Sequence, residues 1–360
     1  MGRQITISID AMGGDRGPVA VIGGMQRSAT EETGIRFLLH GDRGVLEPLL
    51  RRRTALGAIT ELREASGVIA MGEKPSLALR RGKGSSMWNA LESVAAGEAD
   101  VAVSCGNTGA LMALAMLKLR RAEGIDRPAI AVLWPSRNPS GYNIVLDVGA
   151  DLRADTESLR QFAVMGAEYA RLGLQLEMPR VGLLNVGTEE NKGSSGRQEA
   201  NEILTSMAAR PDARFHYLGF VEGDDITGSE VDVIVTDGFT GNVALKTAEG
   251  TARLIGTFLQ EAFRATPLSR IAALFALSSL RRLQRRIDPR RVNGGVFLGL
   301  NGAVVKSHGS ADATGVSAAI KLAIRMARDG FAEKVAERVA SGRREVKDAP
   351  RDQTGAGSGT

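Results

Sequence analysis

The run Ser229–Asn242, S-E-V-D-V-I-V-T-D-G-F-T-G-N, constrains the fold more than any other stretch of the chain. Val231–Val235 reads as a short apolar strand rich in β-branched residues. It passes into a polar turn, Thr236–Asn242, and the apolar periodicity of Val243–Phe258 then predicts a helix. A buried strand that ends on a glycine turn and feeds a helix is one edge of an α/β sheet. The unpaired N–H groups of the helix start face whatever is bound there. The turn supplies a carboxylate (Asp237), a hydroxyl (Thr240), an amide (Asn242) and two glycines (Gly238, Gly241). Such an edge suits an anion, phosphate before others.

The same grammar recurs along the chain. Ile5–Ile9 is a β-branched strand ending in Asp10-Ala-Met-Gly13-Gly14-Asp15, and Pro18 is placed to open a helix. Ile35–His40, Ala58–Leu62 and Asp100–Ser104 read as further strands. Asp100–Ser104 ends in Cys105-Gly106-Asn107-Thr108-Gly109, before a helix over Ala110–Arg121. Ile130–Trp134 and Asn143–Leu146 read as two strands joined by a turn. Thr156–Leu172 and Ser195–Ala209 read as helices, and Arg180–Val186 and Arg214–Leu218 as strands. Strands alternating with helices predict an α/β fold with a doubly wound, largely parallel sheet. In such a sheet the C-terminal ends of the strands share one edge, where ligands bind. The turns at 10–15, 104–109, 147–151, 185–195 and 236–242 are expected to converge there.

Composition narrows the function. Aromatic residues make up 4% of the 360, while glycine reaches 44. That balance suits tight βα turns better than a surface that stacks nucleotide bases, so no nucleic-acid partner is expected. One cysteine, Cys105, permits no internal disulfide and fits a reducing compartment. With three histidines beside it, a structural zinc site is not expected. The opening residues enter a strand without a signal-peptide pattern, and no run approaches the ~20 apolar residues of a membrane span. A cytoplasmic protein is the expectation.

One α/β domain is expected over residues 1–340, with a protruding amphipathic helical segment at 264–290 and a disordered tail at 341–360. Within that segment Ile271, Leu274, Leu277, Leu280, Leu283 and Ile287 recur at helical spacing, and Arg281, Arg282, Arg285 and Arg286 lie around the other side. Leu274, Leu277, Leu280, Arg281, Arg282 and Arg285 are candidates for contact with an anionic membrane surface, an acidic partner or a second subunit. The last helix is expected from about Ala313 to Ala340.

Three familiar alternatives fail. No G-x-G-x-x-G follows a strand, which leaves a dinucleotide site without support. Gly82-Lys83-Gly84-Ser85 lacks the upstream glycine of a phosphate-binding P-loop, since Leu77 stands there. His308-Gly-Ser-Ala-Asp312 has the H-x-x-x-D spacing of some acyltransferases, although a lone histidine is more often structural. Two hydroxyls and Lys192 at the helix start near Ser194–Ser195 can hold an anion, or can be an ordinary cap. Glu73-Lys74-Pro75-Ser76 with Arg80–Lys83 is a cationic stretch of the kind a phosphate-bearing substrate needs, or a solvated loop.

Taken in order, these pieces resemble the fatty acyl-acyl-carrier-protein:phosphate acyltransferase family of bacterial phospholipid synthesis (the PlsX family). The matching stretches are IDAMGGDRGP at 9–18, EKPS at 73–76 with Ser85-Ser86-Met87, and SCGNTGA at 104–110. They continue with LDVGA at 146–150, LLNVGTEENKGS at 183–194, YLGFVEG at 217–223, DVIVTDGFTGNVALKTAEG at 232–250 and GLNGAVVKSHGSADA at 299–313. The resemblance spans residues 3–330. It departs at Asp151, where similar proteins carry Asn, and a carboxylate there repels an anion unless it turns away or pairs with Arg153.

The resemblance implies a fold like the isocitrate and isopropylmalate dehydrogenases and phosphotransacetylase, working as a homodimer without a cofactor. It implies attack of inorganic phosphate on the thioester of a long-chain acyl-acyl carrier protein. The acyl phosphate then passes to a membrane glycerol-3-phosphate acyltransferase. Phosphate is expected among the amides of Gly106–Thr108 and Gly238–Gly241, with Lys192 or Lys306 supplying charge. Asn242, Asn107 or His308 is placed to polarise the carbonyl, and Asp237 to orient a donor or accept a proton. Asp10, Gly13, Gly14, Asp15, Lys74, Ser76 and Ser310 complete the expected substrate shell. Three rivals stay open: transfer from a small acyl-CoA as in phosphotransacetylase, a metal- and nicotinamide-dependent decarboxylating dehydrogenase, and a scaffold that only recruits carrier protein.

Overall fold

The computed structural model describes residues 3–189, 191–287 and 294–347; for 281, 283–287 and 340–347 the description covers the backbone alone. The N-terminal half runs β1 (Ile5–Asp10), α1 (Gly17–Glu31), β2 (Ile35–Gly41), α2 (Arg43–Arg51), α3 (Thr54–Ala58), β3 (Thr60–Glu64), α4 (Pro75–Arg81), α5 (Ser86–Ala95), β4 (Val101–Ser104) and α6 (Thr108–Lys118). Then come β5 (Ala129–Pro135), β6 (Tyr142–Leu146), α7 (Thr156–Gly173), β7 (Arg180–Leu184), α8 (Ser195–Ala208), β8 (His216–Val221) and β9 (Val233–Val235). The chain continues through α9 (Gly238–Arg264), α10 (Pro267–Ile287), β10 (Gly295–Leu298), β11 (Ala303–Lys306), α11 (Ala313–Arg328) and α12 (Phe331–Lys347).

The strands form one sheet in the order β3-β2-β1-β4-β11-β10-β5-β6-β9-β7-β8. Strands β3, β2, β1, β4 and β11 are mutually parallel. β10 runs against both of its neighbours, β11 and β5. β5 and β6 form an antiparallel pair, and β6, β9, β7 and β8 are then parallel to one another. The second parallel block therefore runs opposite to the first. The expectation that five polar turns share one edge is corrected here. The turns after β1 and β4 leave one edge, and those after β6, β7 and β9 leave the other.

Both faces of the sheet are buried, as parallel blocks require. Ile7, Ile9, Val101, Val103, Val233 and Val235 point to the face covered by α1, α7, α8, α11 and α12. Ala102, Val145, Ile234, Phe297 and Val304 point to the opposite face, where residues of α5 and α6 pack together with Ala244, Leu245 and Ala248 of α9.

Several boundaries differ from expectation. α9 starts at Gly238 and not at Val243, because the Asp237 side chain accepts from the Thr240 N–H and caps the helix five residues early. Thr240, Gly241 and Asn242 thus belong to the helix. The long last helix is two helices. Gly330 adopts φ +58°, which ends α11 and lets Phe331 pack edge-on against Tyr169 at 5.2 Å between ring centres. α12 runs on to Lys347, so residues 341–347 of the expected tail are helical, and 348–360 lie outside the described residues. Within the stretch at 73–83, Pro75–Arg81 forms α4 where a solvated loop is one expectation, and the strand expected over 58–62 is Thr60–Glu64 after the short α3.

α10 packs against α9. Leu268, Ile271, Leu274, Phe275 and Leu277 on it are exposed, Phe275 to 85%, and so are Leu254, Ile255, Phe258 and Leu259 on α9. Leu280 is half-buried, and the Arg282 guanidinium donates to Ser279 Oγ at 3.4 Å. The side chains of Arg281, Arg285 and Arg286, with Arg290 and Arg291, lie outside the described residues. Among the described residues no helix is long and apolar enough to cross a membrane.

Candidate active site

β1 and β4 are hydrogen-bonded neighbours in register Asp10↔Ser104. From β1 the chain turns to α1 on one face of the sheet, and from β4 it turns to α6 on the other. Such a switch point leaves a crevice outside the strand ends. β11, in register Lys306↔Ser104, brings a third turn to the same crevice.

The floor is built on Asp10. Its carboxylate is 1% exposed and accepts from Ser104 Oγ at 2.7 Å, Gly13 N–H at 3.1 Å and Met12 N–H at 3.3 Å. A Cβ on Gly13 would stand 2.5 Å from that carboxylate and 2.7 Å from the Gly106 nitrogen. Gly14 has φ +91°, and a Cβ there would meet both the Cys105 side chain and the Gly309 carbonyl at 2.9 Å. The Asp15 N–H donates to the Gly309 carbonyl at 2.8 Å. The glycines predicted for substrate therefore also close the three turns against one another.

Asn107 is fully engaged. Its Oδ1 accepts from Ala110 N–H at 3.0 Å and caps α6, and its Nδ2 donates to the Met71 and Glu73 carbonyls at 2.8 Å each. It ties the loop before α4, with exposed Lys74, and the helix start that carries exposed Ser76 to the crevice, which leaves polarisation of a carbonyl to other groups. Thr108 is exposed in the first turn of α6, where N–H groups lack intrahelical acceptors.

Lys306 lies beneath the turns, 8% exposed, with its ammonium donating to the Ser307 carbonyl and to the Cys105 carbonyl at 3.5 Å. Burial pulls its pKa down to about 8. Burial pushes the Cys105 thiol up to about 11, so it is not a thiolate at neutral pH.

His308 is at the rim. Its Nδ1 faces the Ser310 N–H at 3.2 Å and the Ser310 Oγ at 2.8 Å. Its Nε2 lies 3.4 Å from Lys246 Nζ and 3.7 Å from Glu249 Oε2. Lys246 and Glu249 come from α9 and were not among the predicted site residues. Their signal was in the sequence: Asn242, Lys246 and Glu249 stand at i, i+4 and i+7, one stripe of a helix. From Gly238 to Glu249 the helix advances about 16 Å at 1.5 Å per residue, enough to cross the face of the sheet from one edge to the other. Asn242, Val243, Lys246 and Thr247 line a cleft of about 420 Å³ with Phe239 and Leu152.

The other edge holds the remaining predicted residues. Asp237 accepts from Thr240 N–H at 2.9 Å and Thr240 Oγ1 at 2.8 Å, and from Arg197 Nη2 at 2.6 Å. Burial alone raises its pKa, but those donors and the guanidinium together hold it below the usual carboxylate range. A Cβ on Gly238 would fall 2.6 Å from Asp147 Oδ2, and one on Gly241 1.9 Å from the Asp147 carbonyl oxygen. Asp147 is fully buried, and its carboxylate accepts from the N–H groups of Ile130, Gly149, Ala150 and Asp151. Asp151 Oδ1 accepts from the Arg153 backbone N–H, and its Oδ2 lies 3.9 Å from the Arg127 guanidinium, so Arg127 is its cation. Lys192 is half-exposed, 3.9 Å from Glu189. The expected joint cradle of Gly106–Thr108 and Gly238–Gly241 is thus divided between opposite strand ends, because the second block of strands is reversed. Lys192 and Lys306 are divided in the same way. Among the described residues no group of three or more His, Cys, Asp or Glu is placed to hold a metal ion.

The family model described as "Fatty acid synthesis protein" matches residues 5–334. The chain belongs to this family. Within it, the chain is 60% identical over 353 residues to a phosphate acyltransferase of Cereibacter sphaeroides, covering 98% of this chain and 95% of that one. It is 62% identical over 339 residues to a phosphate acyltransferase of Paracoccus denitrificans, covering 94% and 91%. Among solved structures, a phosphotransacetylase from Streptococcus pyogenes has the same fold, with TM-score 0.60 at 18% identity over 90% of this chain and 94% of that one. At that identity the likeness is one of fold.

Proposed function

We propose that the chain reversibly transfers a long-chain fatty acyl group from acyl-acyl carrier protein to inorganic phosphate, forming an acyl phosphate for phospholipid synthesis. Membership of the family makes it a phosphate acyltransferase. The observation that carries the chemistry is the crevice at the ends of β1, β4 and β11. The amides of α6, the Lys306 ammonium below and the α9 stripe at the rim make an anion pocket there. Cys105 beside it is buried as a thiol, which argues against a cysteine nucleophile and supports direct attack by phosphate.

A phosphate oxygen attacks the thioester carbonyl carbon. The C–S bond then breaks, and the carrier thiolate leaves and takes up a proton. Holding phosphate beside the thioester and aiming donors at the oxyanion together supply the acceleration. Asn242, which lines the cleft beside Lys246, is the donor for that oxyanion. Asp237 acts through the cap it makes on α9, and Lys192 at the far edge meets the carrier's negative charge.

The apolar rows on α9 and α10 support a homodimer and a peripheral position at an anionic membrane, where a membrane glycerol-3-phosphate acyltransferase takes the product. Vesicle flotation of wild type against Leu274→Glu, with the dimer checked by light scattering, tests this. Lost flotation with an intact dimer assigns the tip to lipid, and a lost dimer assigns it to the second subunit.

The reaction is tested by trapping acyl phosphate with hydroxylamine from phosphate and palmitoyl-acyl carrier protein, with acetyl-CoA in parallel and EDTA throughout. Product from the carrier-protein substrate is expected. Product from acetyl-CoA alone moves the assignment to a phosphotransacetylase.

A further inference from the structure

We infer that Lys246 is the cation that meets the attacking phosphate, and that Glu249 is a positioning residue holding it over His308. The inference rests on the reaction proposed above and gives a role to two residues of the stretch 232–250 that had none.

Lys246 reaches from α9 to the rim of the crevice. Its side chain is 56% exposed, its Nζ donates to Glu249 Oε2 at 3.0 Å, and the same Nζ is 3.4 Å from His308 Nε2. Lys306 differs in kind: its ammonium is sealed under the turns and donates to two backbone carbonyls. Lys306 sets the field of the pocket from below, whereas Lys246 can touch a ligand.

The histidine tautomer decides how the three groups fit. A backbone N–H can only donate, so the Ser310 N–H makes Nδ1 the acceptor of the neutral ring. The ring proton is then on Nε2. Lys246 and Nε2–H are both donors, and the 3.4 Å between them is not a hydrogen bond. Glu249, 16% exposed, stands within reach of both and takes the role of common acceptor. It uses one of the three ammonium protons of Lys246 and leaves two for a ligand. It also fixes which way Nε2–H points. Lys246 and Glu249 are i and i+3 on one helix, so the spacing survives side-chain motion. A phosphate dianion at the rim then meets an ammonium pinned in place. A lysine without its carboxylate would sample many rotamers and lose entropy on binding.

The test reads the two substrates separately. In Lys246→Ala the phosphate KM is expected to rise at least tenfold, while the KM for acyl-acyl carrier protein stays within twofold. Lys246→Arg restores most of the phosphate affinity. Glu249→Ala raises the phosphate KM severalfold, and Glu249→Gln, which keeps an acceptor oxygen, recovers it. A surface pair with only a structural role would leave the phosphate KM unmoved, and that result in Lys246→Ala overturns the assignment. A lower phosphate KM in Glu249→Ala would show the carboxylate to be a repelling charge and overturn its positioning role. Calorimetric titration with inorganic phosphate gives a second readout that needs no turnover. Tenfold weaker binding in Lys246→Ala supports the inference, and equal or undetectable binding by wild type and variant refutes it. Wild type that binds phosphate but forms no acyl phosphate refutes the reaction instead, and leaves Lys246 as an anion site.

Discussion

Replacing Asp237 with alanine tests how the far edge of the sheet supports the crevice. The substitution removes the cap of α9, worth about 1 kcal/mol. It also removes a carboxylate that bonds the Thr240 hydroxyl and, at 2.6 Å, the Arg197 guanidinium. The two side chains of the ion pair are 23% and 13% exposed, and leaving a partly buried Arg197 unpaired costs on the order of 2 kcal/mol more. The expected loss is about 3 kcal/mol. At about 2.1 cal/mol/K of unfolding entropy per residue over 360 residues, this lowers Tm by about 4 °C. Arg197→Met should cost less, and the double variant should cost less than the sum of the singles, because the pair is coupled.

The pH dependence follows from the depressed pKa. The stabilisation by Asp237 is complete above the unfolded value of about 4 and is lost as pH falls through the lower folded value. Asp237→Asn should therefore sit well below wild type at pH 7 and converge with it toward pH 3. The assay is calorimetric Tm from pH 3 to 7 on wild type, Asp237→Asn and Asp237→Ala. A gap that is constant across that range, or a Tm shift under 1 °C in Asp237→Ala, refutes the reasoning. Activity should fall as well, because Asn242, Lys246 and Glu249 all follow from the start that this cap gives to α9.

Two glycines of α9 should behave oppositely. Gly241→Ala forces a Cβ to 1.9 Å from the Asp147 carbonyl oxygen and should cost about 3 kcal/mol or prevent folding, read as soluble yield and Tm. Gly250→Ala meets nothing within 4 Å and should add up to about 1 kcal/mol through helix propensity. Cys105→Ala should keep kcat within a few fold in the hydroxylamine assay; a hundredfold loss would point to a thiol nucleophile in place of direct attack by phosphate. Asp10→Asn keeps an oxygen on the Met12 and Gly13 N–H groups but turns amide protons toward Ser104 Oγ, which already accepts from the Gly106 N–H, and should lower kcat/KM about tenfold with a fall in Tm of a few degrees.

Most strands and the polar turns behind them were legible, because each is a local pattern: an apolar run, a glycine turn, a cap. Strand direction was not legible. Val233–Val235 looks the same in sequence whether its neighbour is parallel or antiparallel. The inversions on the two sides of β10 cancel, so the reversal comes from the antiparallel β5–β6 pair, whose joining turn was legible but whose effect on the sheet was not. The block at 299–313 was visible as a motif, yet its place between β4 and β10 is a fact of long-range pairing. Lys246 and Glu249 were missed for a local reason. With the helix start set at Val243, Asn242 belonged to a turn and the stripe through 242, 246 and 249 lost its first member. The stop at Gly330 was overlooked because the apolar spacing continues across it into α12.

The position of β11 and β10 also has a consequence for how the chain is made. They fill the middle of the sheet, between β4 and β5, but they are residues 295–306 of 360. Until they leave the ribosome, the inner edges of β4 and β5 have no partner. Each is an open row of backbone donors and acceptors, of the kind that invites pairing with another chain. From the end of β9 at Val235 until β11 ends at Lys306 the nascent protein carries two unfinished half-sheets, and β10 and β11 act as the keystone that joins them. A chaperone that shields strand edges has its greatest effect in that interval, and a ribosome stalled before residue 295 releases a product prone to aggregate.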